Sequence, residues 1–251
     1  MKFGDFMKEK NRSSNDTTAL KKILLLYKEE ADEDRLPQQA YIIIQKAILN
    51  LQLQPNEAFL EREIIDMLEM SRTPVREALI RLEMDRWIRL IPRKGFSVEP
   101  IIKENIEQIC QIAEALDGVA AELATFNVDE EHLEILDSLI TSQEKYLNEN
   151  NLKAYLDADN QFHHLIIEYS HNERLIDIMD SHSDQLYRAR LFTINERKLP
   201  IRSIKEHRAI VAAMRAQDSK AAQLLMHSHR HRGGQEILGI IERKPANNTK
   251  K

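Results

Sequence analysis

Four residues in the C-terminal half combine types and spacings that could hold a metal. Asp159 and His163 lie one helical turn apart, within the run Leu152, Leu156, Asp159, His163, Ile166. That run steps by four, three, four and three, so the carboxylate and the imidazole fall on the inward stripe of a helix. His207 shares a stripe with Ile204, Val211 and Met214, and His229 shares one with Ala222, Leu225, Met226 and Gly233. Burying such groups is costly unless each finds a partner. Taken singly, each histidine reads as an ordinary core or surface residue. Together on three inward faces they make a ligand set for a divalent transition metal, zinc foremost, with nickel or manganese as alternatives. His227 and His231 lie about 200° around the helix from His229 and should face outward. His182 follows Leu175 and Met179 on an apolar stripe and could line the same cavity.

A second chemistry lies between Ser71 and Leu82. Val75, Ala78, Leu79 and Leu82 are spaced to pack on a core, while Arg72, Thr73 and Arg76 gather around the start of the same helix. Pro74 suits a first turn, and Ser71 or Thr73 can cap it. Guanidinium and hydroxyl groups at a helix amino end are suited to phosphates and guanine edges. On its own the stretch would read as an amphipathic surface helix; its surroundings give it a role. Glu61–Leu68 is expected to form a preceding short helix, and the Ser71 helix is expected to run to about Trp87. Ile88–Ile91 and 96–98 then alternate apolar residues on either side of Pro92, Arg93, Lys94 and Gly95, which reads as a hairpin with a cationic tip. Two short helices with a tight connection, followed by a basic hairpin, form a winged helix-turn-helix.

These groups need elements to position them. Low glycine and persistent helical periodicity predict a mainly α protein. Its expected parts are an N-terminal winged helix-turn-helix with a small β-hairpin wing and a C-terminal all-α bundle of six helices. The boundaries are an arm over 1–34, the DNA-binding domain over 35–100, the helical domain over 101–242 and a disordered tail over 243–251. Residues 1–16 of the arm read as disordered, with a short amphipathic helix after Asp16 and Thr17 carrying Leu20, Ile23, Leu24 and Tyr27. The turn Gln54–Pro55–Asn56–Glu57 precedes the second helix of the winged domain.

The net charge of −5 argues against a chain that is basic throughout, but the charge is uneven. From Arg35 to Pro100 there are 10 Lys/Arg against 9 Asp/Glu, and from residue 101 onward 19 against 24. The least acidic segment is therefore the one with bunched arginines, compatible with a local DNA-binding patch. A single cysteine, Cys110, gives no disulfide framework and points to a reducing, cytoplasmic setting. No apolar run has membrane-spanning length, and the first residues lack a signal-peptide core, so no membrane partner is expected.

The motifs resemble a known family. Leu60–Glu61–Arg62–Glu63–Ile64, then Met70 through Leu79, then Pro92–Arg93–Lys94–Gly95–Phe96–Ser97–Val98, look like the winged helix of the GntR family of bacterial transcription regulators. Asp159–Asn160–Gln161–Phe162–His163, Asn172, Glu206–His207–Arg208–Ala209–Ile210 and Met226–His227–Ser228–His229 resemble its FCD (FadR-type) ligand-binding domain. The resemblance implies base and phosphate contacts from Arg62, Arg72 and Arg76. It also implies phosphate contacts from Ser71 and Thr73, and wing contacts around Arg93, Lys94 and Gly95. It favours Asp159, His163, His207 and His229 as metal ligands over His164, His227 and His231. One departure stands out: Ala113 occupies a place where relatives often carry an arginine, with Glu114 and Asp117 nearby. Arg188 or Arg190 could compensate. Asn56 stands where glycine is usual, which the left-handed tolerance of asparagine permits.

The expectation is a ligand-responsive transcription regulator, not an enzyme, acting as a repressor and homodimer on a palindromic operator in double-stranded DNA. Its helical domain would bind the metal and a small-molecule effector, a carboxylate, in a pocket reached by His182, Arg188 and Arg190. The rivals are a metal-dependent enzyme with an accessory winged helix and a regulator with a purely structural metal. Against the enzyme, the site lacks a general base of the His-Glu-x-x-His kind.

Overall fold

The computed structural model describes residues 14–243, and the chain divides into two compact units after Pro100. Most of the disordered stretch expected over 1–16 and of the tail expected over 243–251 lies outside the described residues. Ser14–Asp16 and Arg243 do not: they are helical.

The first unit starts with α1 (Ser14–Glu30), α2 (Leu36–Leu49), the two-residue strand β1 (Ala58–Phe59) and α3 (Glu61–Leu68). It ends with α4 (Arg72–Met84), β2 (Ile88–Ile91) and β3 (Gly95–Val98). Pro37 sits in the first turn of α2, where its missing N–H costs nothing, and Ile43, Ile44, Ala47 and Ile48 form its buried face. At the start of α3, Glu63 Oε2 accepts from the Leu60 N–H at 2.8 Å. Glu69, left-handed at φ 51°, ends α3 and leads through Met70 to Ser71, the N-cap of α4. Val75, Ala78, Leu79 and Leu82 are buried, so the stripe read from the sequence is the packing face of α4.

Three details correct the sequence reading. The helix stops at Met84 rather than Trp87, because Arg86 turns left-handed at φ 59° and Trp87 folds into the core. The wing has a third strand: β1 pairs with β3, giving the antiparallel order β1-β3-β2. The N-terminal helix is also more than an arm. Leu20 and Leu24 belong to the same core as Ile44, Leu68 and Leu79. Lys28 Nζ donates to the Leu68 carbonyl at 2.8 Å, and Lys21 pairs with Glu69 at 2.7 Å, so α1 braces the turn between α3 and α4. Leu24→Ala, at a position with no exposure, is expected to cost about 2–5 kcal/mol in urea unfolding of this unit. A change below 0.5 kcal/mol, roughly the level of an exposed substitution, would show that α1 is dispensable to the core.

Gly95 is the pivot of the wing. Its φ is +116°, and a Cβ there would stand 2.0 Å from the Phe59 carbonyl and 2.8 Å from Leu60 Cα, both backbone atoms. The close approach allows Phe59 and Phe96 to stack at 5.4 Å. Gly95→Ala is therefore expected to cost about 2–3 kcal/mol or to splay β1 from β3. Thermal unfolding of the variant alongside wild type measures it; an unchanged midpoint would contradict the close approach.

The second unit contains, among the described residues, six α-helices, α5 (Lys103–Asn127), α6 (Glu130–Asn148), α7 (Leu152–Tyr169), α8 (Glu173–Thr193), α9 (Ile201–Arg215) and α10 (Ser219–Arg243), and one turn of 3-10 helix at Ile194–Glu196. Side-chain caps start several of them. Asp129 accepts from His132 N, Asn151 from Ala154 N, Asn172 from Leu175 N and Asp218 from Ala221 N, at 3.0–3.2 Å. Helices α5 and α10 approach closely over small residues. A Cβ on Gly234 would meet Cys110 Cβ at 3.2 Å, so the cysteine serves as packing there. No helix of the described residues is long and apolar enough to cross a membrane.

Candidate functional site

In the helical unit, α7 presents Asp159 and His163, α9 presents His207 and α10 presents His229, all buried. The three imidazoles converge through one atom each. His229 Nε2 lies 3.3 Å from His207 Nε2 and 3.2 Å from His163 Nε2. The 3.3 Å contact between His207 and His229 is not an ordinary hydrogen bond, as the far nitrogens reveal. His207 Nδ1 sits 2.9 Å from Gln143 Oε1, and His229 Nδ1 sits 2.8 Å from Glu206 Oε2. Each oxygen can only accept, so each Nδ1 carries the proton and each Nε2 is left with a lone pair aimed at the other. Facing lone pairs repel unless a cation lies between them. Zinc bonds of about 2.0–2.1 Å in tetrahedral geometry place neighbouring nitrogens about 3.3–3.4 Å apart, the spacing found here. The donor set thus fits a divalent metal.

The surroundings keep the imidazoles neutral. Burial drives His163 and His207 well below the usual histidine range and lowers His229 against the pull of Glu206. The Phe162 ring stacks on His207 at 4.3 Å and closes one side with apolar surface. Glu206 is fixed by Arg232, whose Nε lies 2.9 Å from Oε1, and by Arg202 at the same distance. Burial would raise its carboxyl, but the bonds from His229 and Arg232 hold it well below the carboxylate range. His229 therefore has an anchored, ionised partner.

Asp159 stands beside the triad. Its Oδ2 is 3.7 Å from His163 Nε2 and its Oδ1 is 3.9 Å from His207 Nε2. Tyr155 donates to Oδ1 at 3.0 Å, and Arg190 Nη2 pairs closely with Oδ2. Burial alone would raise this carboxyl; the Arg190 guanidinium offsets that and keeps it ionised, far below the usual range. The structure thus brings the three histidines together as a set and holds Asp159 at the edge, shared with Arg190. His227 and His231 face outward to Glu114 at 3.1 and 3.0 Å, and His164 faces Glu168 at 3.3 Å.

A cavity of about 300 Å³ opens beside His163 and is lined in part by Ala113, His182, Arg190 and Arg230. Arg188 is buried at 5% exposure and does not line it. Sequence reasoning missed Gln143, Glu206 and Arg230. Gln143 continues the inward stripe of Leu133, Leu136 and Ile140, and a glutamine at that position was the readable signal. Glu206 precedes His207 and reaches α10 from the flank of α9. Arg230, next to His229, lines the cavity and pairs with the fully buried Asp117 at 2.5 Å. Burial pushes the Asp117 carboxyl up, countered by Arg230. Ala113 and Arg230 both line the cavity, with the Arg230 guanidinium committed to Asp117.

In the first unit, Arg62, Ser71, Arg72, Thr73 and Arg76 are all exposed around the start of α4, and Arg93 and Lys94 are exposed at the wing turn. Ser71 makes no side-chain cap, which leaves its hydroxyl and the first-turn N–H groups facing outward. Arg72 Nε pairs with Glu61 Oε1 at 2.9 Å, while its side chain stays 71% exposed. Arg93 adopts φ 63° at the hairpin turn, and Lys94 N donates to the Ile91 carbonyl at 3.0 Å, projecting both side chains from the tip.

Comparison with known proteins gives two profile matches. Residues 36–98 match the bacterial regulatory proteins of the gntR family, and residues 108–232 match the FCD domain. The chain is 26% identical over 205 residues to the "Uncharacterized HTH-type transcriptional regulator YdhC" of Bacillus subtilis (strain 168), covering 81% of this chain and 92% of that one. It is 23% identical over 192 residues to the "HTH-type transcriptional repressor RspR" of Escherichia coli (strain K12), covering 76% and 84%. Among solved structures, "E. coli McbR/YncC" is similar in fold with a TM-score of 0.71 at 20% identity, over 81% of this chain and 97% of that one.

Proposed function

Because the chain belongs to the GntR family of bacterial transcription regulators and carries an FCD domain behind its winged helix, we propose that it is a metal-dependent, effector-responsive repressor. It is a DNA-binding regulator and not an enzyme. The finer reading rests on one observation: the 3.3 Å contact between the Nε2 atoms of His207 and His229, whose outer nitrogens are bonded to Gln143 and Glu206.

His163, His207 and His229 hold a divalent metal, zinc foremost and nickel or manganese in its place, with Asp159 as a fourth donor when it turns from Arg190. Bound there, the metal supplies Lewis-acidic positions for oxygen atoms. Arg190 and Arg230 then meet the charge of a small carboxylate in the cavity, while Phe162 excludes water from one side. Control is a linkage: the effector changes DNA occupancy only by binding more tightly to one arrangement of the winged helices. The regulator acts as a homodimer, one copy per half of a palindromic operator, with recognition helices about one DNA turn apart. Repression is favoured by the likeness to a named repressor. The winged domain spans 35–100, and the helical domain spans 101–242.

Elemental analysis of the purified chain, followed by operator binding across a panel of organic acids, tests the reading. Close to one zinc, nickel or manganese per chain and an acid that shifts operator affinity are expected. A metal-bearing protein whose DNA binding ignores every acid would reduce the metal to a structural role.

A further inference from the structure

Helix α5 carries two apolar faces. One, through Ile106, Ala113, Ala120 and Ala124, is buried in its own bundle. The other, through Ile112, Leu116, Val119, Leu123 and Phe126, steps by four, three, four and three and falls within about 80° of helical rotation. The described residues cover this second face only in part: Val119 is 36% and Phe126 70% exposed, and the other three are half-buried. Between Gln108 and Phe126 the helix has three charged residues, and all of them turn to α10. Glu114 meets His227 and His231 at 3.1 and 3.0 Å, Asp117 meets Arg230 at 2.5 Å, and Glu122 meets Lys220 at 2.5 Å. The open face is left without a charge. Leu224, 69% exposed and one turn on from Lys220, extends it onto the flank of α10.

We propose that this face of α5 is the contact with a second copy of the chain, packed antiparallel about a two-fold axis at Val119. The inference rests on the homodimer reading above and adds the surface that makes it. Alternating steps of four and three are the spacing at which two helices interlock side chains along a seam. A face that meets its own copy must also be self-complementary. About Val119 as centre, Ile112 and Phe126 stand seven residues to either side, and Leu116 and Leu123 three and four. An antiparallel copy therefore sets Ile112 against Phe126 and Leu116 against Leu123. A parallel copy would align the two helix dipoles and bring Glu104 and Glu107, both exposed at the amino end, against their own images. The face runs about 21 Å from Ile112 to Phe126 and, with the flank of α10, is about 20 Å wide, roughly 400 Å² in projection. Two such faces make a contact at the small end of stable interfaces. The neighbouring charges are already paired within each copy, so docking buries none of them alone.

Sedimentation velocity and oxidative crosslinking of the full chain test this. Wild type is expected as a dimer. Val119→Lys, which sets two ammonium groups face to face in an apolar seam, should weaken association at least about hundredfold. Ile135→Lys on α6, at a 42% exposed position outside the face, should leave association unchanged. Val119→Cys keeps the side chain small and apolar, and on mild oxidation it should link to its own copy, since the native Cys110 is buried and does not compete. Ile112→Cys alone should not link, but mixed with Phe126→Cys it should. A dimer that survives Val119→Lys and shows no Val119→Cys link would overturn this face while leaving the homodimer reading standing. Self-linking of Ile112→Cys would overturn the antiparallel arrangement. A wild-type chain that stays monomeric would end the homodimer reading and this inference together.

Discussion

His207→Ala is expected to leave the protein without stoichiometric metal and markedly less stable. His207 joins both ends of the site: its Nε2 meets His229 at 3.3 Å and its Nδ1 meets Gln143 at 2.9 Å. With it gone, two imidazoles and a carboxylate committed to Arg190 remain, too few donors for a structural site. Metal that binds only the folded state stabilises by about 4 kcal/mol when present at a thousandfold its dissociation constant, and that contribution would vanish. The loss of the partner of Gln143, buried with no exposure, adds about 1–3 kcal/mol. Plasma emission analysis for metal and thermal unfolding with and without a chelator separate the two contributions. Wild type should lose stability on chelation; the variant should not respond. Wild-type metal content in His207→Ala would refute the triad. Gln143→Leu supplies a graded control: all three histidines remain, yet the tautomer of His207 is no longer fixed, so metal affinity should fall by about 10–100-fold.

Much of this site was legible because helical periodicity carries it. Asp159, His163, His207 and His229 sit on stripes whose apolar members are buried, and the outward assignment of His227 and His231 follows from the same rotation. Periodicity assigns a face but does not say which group on a neighbouring helix meets it. Nothing local distinguishes Asp159 as a free ligand from Asp159 tied to Arg190, thirty-one residues away. Glu206 and Arg230 are hidden for a related reason: each adjoins a histidine in sequence, about 100° from it around the helix, and so lies off the stripe that carries the signal. The wing shows the same limit. Its two hairpin strands follow from alternation around Gly95, but β1 is two residues long and exists through pairing with β3, a long-range partner that no short window contains. The N-terminal helix was readable as amphipathic, whereas its burial against α2 and α3 depended on a surface supplied by the rest of the unit.

The second large effect concerns what α4 reads. Arg76→Ala is expected to reduce discrimination between operator and unrelated DNA by about 5–150-fold, the range set by one bidentate arginine–guanine contact of about 1–3 kcal/mol. The fold should survive, because Arg76 is exposed and the packing of α4 rests on Val75, Ala78, Leu79 and Leu82. Lys94→Ala at the wing should behave differently. Removing a phosphate-binding charge there weakens operator and non-operator DNA together and lowers the slope of log affinity against log salt by about 0.9. Arg72 lies between these cases, since Glu61 holds its guanidinium at 2.9 Å and must share it with DNA. Glu61→Gln should release that arginine, raising affinity for any duplex while narrowing the gap between operator and non-operator. Measuring these three variants and Arg72→Ala across a salt series on both duplexes separates base reading from phosphate binding. A specificity ratio unchanged in Arg76→Ala and Arg72→Ala alike would remove α4 from base reading and leave the wing and α3 to account for it.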